Sequence, residues 1–111
     1  MSRKESLRGW EQLATVEILP ECLENDLSKI RDEKVRDGIF DKIAILESEP
    51  GFGKPLKGSL KGHHRITYGR YRIVYRWDKA RDHVLVWYVA PRDEDLYRLA
   101  ETILRRFGKE K

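Results

Sequence analysis

The chain has a single cysteine, Cys22, so it cannot form an internal disulfide. A lone thiol fits a reducing compartment, and the protein is expected in the cytoplasm. Histidine is almost as scarce: His63 and His64 are adjacent, and His83 stands apart. Without a second cysteine or a histidine pair at ligand spacing, no structural zinc site is expected, and no cofactor motif is present. No stretch approaches the ~20 consecutive apolar residues of a membrane span, and the opening Met1–Gln12 lacks the apolar run of a signal peptide. A soluble protein with no membrane partner is expected. Internal repeats and low-complexity tracts are also absent. At 111 residues the chain is long enough for one hydrophobic core and too short for two.

Overall charge is modest, formally +4, but it is unevenly spread. Between Lys54 and Arg92 stand ten Lys or Arg and only two acids, Asp78 and Asp82. Residues 1–53 hold eight bases against twelve acids, and residues 93–111 hold five of each. The central excess coincides with Tyr, Trp, Val and Ile at strand spacing, which places it on folded β-structure facing a polyanion.

Residues 1–12 read as a polar extension that docks through Trp10, and residues 13–111 as a single domain. Ala14–Leu19 is a short strand candidate, ended by Pro20, which suits a first helical turn. Leu23, Leu27 and Ile30, then Val35, Ile39, Ile43 and Leu46, fall at helical spacing on either side of the charged break Arg31–Lys34. They predict a helical hairpin with its apolar stripes turned inward. Two prolines and two glycines between Glu49 and Pro55 make a loop. The period then changes to two. Gly69-Arg70 fits a two-residue hairpin turn with glycine at the first central position. That turn sets Tyr68 opposite Tyr71, Thr67 opposite Arg72, Ile66 opposite Ile73, Arg65 opposite Val74, His64 opposite Tyr75 and His63 opposite Arg76.

Alternation sorts these pairs onto two faces. Tyr68, Tyr71, Ile66, Ile73, His64 and Tyr75 share a core face. His63, Arg65, Arg72 and Arg76 share the other, around Thr67 and Val74, and three guanidiniums on one small face imply an anion between them. Lys54, Lys57 and Lys61 add point charges that can track a backbone. Val84–Ala90 is apolar on both alternating faces and predicts a central strand covered on both sides. Pro91 stops it, which leaves Arg92 at the exit of the most buried strand. Leu96, Leu99, Ile103 and Phe107 predict the inner stripe of a closing helix, with Tyr97 on its flank.

The basic segment has no Ser-His-Asp arrangement, no metal-ligand set and no paired carboxylates. Catalysis there would run on Arg, Lys, Tyr and His, which suits cleavage of RNA by its own 2′-OH. On this register His63 is on the basic face, where neighbouring guanidiniums favour its neutral form and a base role, whereas His64 points inward.

Gly53–Tyr75, followed by the apolar strand and then Ala90–Tyr97, resembles the RelE/ParE superfamily of toxin–antitoxin toxins over roughly residues 13–107. The motif is the hairpin Gly69, Tyr71-Arg72-Ile73-Val74-Tyr75 combined with Arg92 and Tyr97. The resemblance implies an α+β fold: an N-terminal strand and helical hairpin on a small antiparallel sheet, with a C-terminal helix. It also implies an endoribonuclease that cleaves mRNA in the ribosomal A site and is held inactive by a cognate antitoxin. By position, Arg72 resembles the arginine that stabilises the transition state, and Arg92 the one that assists the leaving group. Tyr97 resembles the tyrosine that stacks on a base or acts as general base. Arg65 and His63 stand where RelE has catalytic lysines, so Arg65 would clamp phosphate and His63 could take the base role. Pro91 replaces a histidine found in many relatives. Lys54, Lys57, Lys61 and Arg76 complete the implied RNA-binding set. The competing expectations are a ParE-like toxin that inhibits DNA gyrase without enzymatic activity, and a decayed relative that only binds RNA.

Overall fold

The computed structural model describes residues 13–110, with side chains to residue 108; the extension and its Trp10 lie outside the described residues. The elements are β1 (Thr15–Ile18), a wide helical turn at Cys22–Leu27, α1 (Glu33–Ile45), β2 (Lys54–Pro55), a 3₁₀ turn at Gly58–Leu60, β3 (His63–Tyr68), β4 (Tyr71–Asp78), β5 (His83–Pro91) and α2 (Leu96–Glu110). The fold is α+β, with one five-stranded sheet in the order β1-β5-β4-β3-β2. The sheet is mixed: β1 runs parallel to β5, while β2 to β5 pair antiparallel. A strand that leaves for a helical excursion before the hairpin returns on the far side of β5, where a crossover permits parallel pairing.

The β3–β4 register matches the sequence expectation at all six pairs, from His63 opposite Arg76 to Tyr68 opposite Tyr71. Gly69 has φ +56°, the left-handed conformation this turn requires at its first central position. β5 is flanked by β1 and β4 and is covered on both faces, with Val84, Val86, Val89 and Ala90 buried. A bulge between Val74 and Tyr75 sets Tyr88 opposite Val74 but Val86 opposite Tyr75, so Trp87 is the extra residue.

The helical hairpin is present, but its first arm departs from simple 3.6-residue spacing. Pro20 opens it, and Ser28 N–H donates to Leu23 O five residues back (3.2 Å). The wider turn brings Cys22 and Leu27, five apart, into the core together and leaves Leu23 45% exposed. The second arm, α1, follows expectation. Asp32 caps it by accepting Lys34 N–H (3.0 Å) and Val35 N–H (3.3 Å), and Ile39, Ile43 and Leu46 are buried. On α2 the buried stripe is Leu99, Ile103 and Arg106, with Leu96 and Phe107 in large part exposed. The inner face is thus one residue out of phase with the expected Leu96–Phe107 line at its C-terminal end. No helix among the described residues is long and apolar enough to cross a membrane.

Candidate functional site

Strand pairing lays the predicted cations in rows on one sheet face. Lys54 pairs with Arg65, Arg65 with Val74, and Val74 with Tyr88. In the next row Thr67 pairs with Arg72, and Arg72 with Ala90. The face is not open throughout. α2 lies across its β4–β5 part, where Arg106 sits 4.8 Å from the centre of the Tyr88 ring and Phe107 is 5.9 Å from Trp87. Val74 is fully buried beneath this cover.

His63 is the residue whose surroundings differ most from expectation. Alternation puts it on the basic face, but it is 7% exposed, edge-on to Trp87 at 6.0 Å. Its Nδ1 is 3.3 Å from Leu60 O, and its Nε2 has no partner. Burial, and then the Arg76 and His64 charges, hold its pKa below the ordinary histidine value, against the opposing Leu60 contact. The neutral form is favoured as expected, chiefly through desolvation, with the Arg76 guanidinium a lesser cause. A base needs hydrogen-bond reach to the proton it takes, and here the ring is packed against Trp87. His64 stacks on Tyr75 (5.2 Å, 15°) on the α1 side, and its pKa is also lowered by burial and by Lys79.

Arg72 and Arg92 meet at the end of the sheet, through the main chain. Arg72 is half-buried, and its Nη2 donates to the Arg92 carbonyl at 2.6 Å, while its Nε and Nη1 have no partner among the described residues. Arg92 N–H donates to Arg70 O (2.7 Å), which fixes the strand exit to the hairpin turn. The Arg92 side chain is exposed and lines a recess of about 410 Å³ with Arg70, Tyr71, Pro91 and Asp93. Tyr97 is 82% exposed on the first turn of α2, where its N–H is held by Asp95 Oδ1 at 2.7 Å. Arg65 is half-buried, and its Nη1 donates to Thr67 Oγ1 (3.1 Å). Lys54, Lys57, Lys61 and Arg76 are exposed around this face, with the 3₁₀ turn carrying Lys57 and Lys61 at its edges. Arg65, Arg72 and Lys54 therefore share one surface, Arg92 joins by its backbone, and His63 is withdrawn beneath it.

Two anchoring groups escaped sequence reading. Arg106 forms a two-point ion pair with Asp26 (2.8 and 3.0 Å), and its Nη1 also donates to Trp87 O at 2.9 Å. Asp26 in turn accepts Val89 N–H (3.0 Å), so α2, the wide helical turn and β5 are clasped together. The available signal was that Arg106 continues the Leu99–Ile103 spacing on a helix face. Tyr88 Oη donates to Glu94 (2.9 and 3.1 Å), which pins the segment between Arg92 and Tyr97 to the sheet. Its pKa is pushed up to about 12 by burial and by the Glu94 carboxylate.

This sheet, with its basic face and capping helix, is the architecture of the RelE toxins. The free E. coli toxin RelE, as a doubly substituted mutant, superposes with a TM-score of 0.68 at 17% identity over 86% of this chain and 98% of its own. The archaeal RelE–RelB complex from Pyrococcus horikoshii matches at 0.61 and 19% identity, covering 76% of this chain and 100% of that one. The toxin–antitoxin complex RelBE2 from Mycobacterium tuberculosis matches at 0.65 and 28% identity, covering 72% and 99%. No curated protein sequence matches the chain. The sequence model of the ParE toxin of type II toxin–antitoxin systems matches residues 17–96. The chain belongs to this ParE toxin family, within the RelE/ParE superfamily, and is a toxin of a type II toxin–antitoxin system.

Proposed function

We propose that the chain is an mRNA endoribonuclease acting on translating ribosomes in the cytoplasm and neutralised by a cognate antitoxin. The observation that carries this reading is the Arg72 guanidinium. It is half-buried and braced on the Arg92 carbonyl, with two nitrogens, Nε and Nη1, left without an acceptor among the described residues. Buried donors are almost always satisfied, so two orphans on one cation point to an anionic acceptor supplied from outside. A scissile phosphate fits: as the 2′-oxygen attacks, negative charge grows on the non-bridging oxygens, and preorganised guanidinium donors stabilise it.

On this reading Arg72 and Arg65 hold the phosphorane, and Arg92 assists the departing 5′-oxygen. Tyr97, exposed on the first turn of α2, stacks on a base or takes the 2′-OH proton. The buried His63 is left without a proton-transfer role. The proton that Tyr97 takes from the 2′-OH returns, directly or through water, to the departing 5′-oxygen, whose growing charge Arg92 stabilises. Lys54, Lys57, Lys61 and Arg76 track the flanking backbone. An antitoxin partner is supported by two structural relatives, each solved as a toxin–antitoxin complex.

Primer extension on a translated message tests the proposal. Cuts within A-site codons that disappear in Arg72→Ala support it, and their absence in the wild type overturns it. A second reading is favoured by the family match itself: as a ParE-type toxin the chain would inhibit DNA gyrase without cutting RNA. Supercoiling inhibition by the purified protein, with messages left intact, would establish that reading instead.

A further inference from the structure

The loop between α1 and β2 holds an exposed aromatic ring on a rigid frame. Phe52 is 48% exposed, yet the backbone on both sides of it is fixed. The buried Tyr75 hydroxyl donates to Pro50 O at 2.7 Å and accepts Gly53 N–H at 2.8 Å, while Phe52 N–H donates to Glu49 O at 3.0 Å. Gly53 has no room for a side chain. A Cβ there would stand 2.7 Å from the Arg65 carbonyl oxygen and 2.9 Å from the Tyr75 ring. A large ring facing water on so constrained a loop is preorganised, and preorganisation lowers the cost of binding.

The ring walls a recess of about 320 Å³ at the sheet edge, which Lys42 of α1, Lys54 of β2 and Arg65 of β3 also line. The lining holds three cations and no carboxylate. Lys42 and Lys54 have no side-chain partner among the described residues, and Arg65 bonds only Thr67. Lys54 and Arg65 are register partners on the face that carries Arg72, so the recess opens onto the candidate catalytic surface.

We propose that this recess is a nucleotide subsite, in which a base of single-stranded RNA stacks on Phe52 and the adjoining phosphate is held by Lys42, Lys54 and Arg65. An aromatic platform beside unpaired cations is the usual means of holding single-stranded nucleic acid with little sequence preference. An acidic peptide would neutralise the cations but offers no flat π-face to the ring. The subsite rests on the RNA-cleaving reading and extends it to a nucleotide flanking the cut.

The test is NMR titration of the full-length, ¹⁵N-labelled protein with a 2′-O-methyl trinucleotide, which cannot be cleaved by 2′-OH attack. Saturable shifts are expected at Phe52, Gly53, Lys54 and Arg65. Phe52→Ala should weaken binding about tenfold, Phe52→Trp should restore it, and Lys42→Gln should weaken it about twofold and flatten its salt dependence. The proposal is overturned by shifts that bypass the recess or by Phe52→Ala binding as wild type. Failure of Phe52→Trp to restore binding, or equal binding of a poly-glutamate peptide with the same Phe52 dependence, also overturns it. If the trinucleotide binds here but translated messages stay uncut, the subsite stands and the nuclease reading falls. If messages are cut but the recess does not respond, the nuclease reading stands and the subsite falls.

Discussion

Arg106 and Arg72 lie against the same face of one sheet and have opposite surroundings. Arg106 is 4% exposed and meets two carboxylate oxygens, a backbone carbonyl and an aromatic ring. Arg72 has a single acceptor among the described residues and two idle nitrogens. Only Nε of Arg106 lacks a hydrogen bond, and it lies 3.4 Å from the Glu21 carboxylate. A buried cation is tolerated when it is paired in this way, and one with most of its donors idle is a cost that a ligand can remove. The difference separates an arginine that holds the fold together from one that waits for an anion.

The largest expected effect breaks the first of these. Arg106→Ala leaves Asp26 buried without its partner and should lower unfolding stability by about 3–5 kcal/mol in urea titration. Arg72→Ala should do the reverse. Cleavage of translated messages falls roughly 10²–10³-fold, as for loss of one preorganised anion donor, while the thermal midpoint stays the same or rises. An Arg72 variant that unfolds as readily as Arg106→Ala would erase the contrast.

Smaller effects sharpen it. His63, buried beneath the same face, has a folded pKa below its ordinary value of 6.5. The unfolded chain therefore binds the proton more readily. The stabilising contribution is intact above pH 6.5 and is lost as pH falls from there through the lower folded value. His63→Gln should flatten that acid limb of the stability profile with cleavage retained; lost cleavage with unchanged stability would return His63 to the proton-transfer role. Tyr88→Phe, which removes the Glu94 bond, should cost about 1 kcal/mol. With its folded pKa at about 12, Tyr88 also favours the native state below pH 10 and loses that contribution as pH rises toward 12. The variant should lack this alkaline limb in stability measured against pH.

The hairpin was legible because period-two alternation and one glycine determine a register, and a register assigns every side chain to a face. Arg65 and Arg72 were found this way. Alternation does not say what will cover a face, and so the burial of His63 under Trp87 was not visible. Cys22 and Leu23 exchanged places because one wide helical turn resets the phase, and no residue in Glu21–Ser28 announces it. The Arg106–Asp26 pair joins residues eighty positions apart, and only folding brings such a pair together. Phe52 read as loop, since a rigid loop and a loose one share the same Pro and Gly composition until the Tyr75 hydroxyl is seen between Pro50 and Gly53.

The bond from Arg72 to position 92 ends on a carbonyl oxygen, an atom every amino acid carries. The brace is therefore indifferent to which side chain stands at 92. A substitution at 92 changes the rim of the site while the anion donor beneath keeps its aim. The two arginines are neighbours in space but separable by mutation: removing the side chain at 92 takes away its own contribution to the departing oxygen and leaves the anion donor aimed.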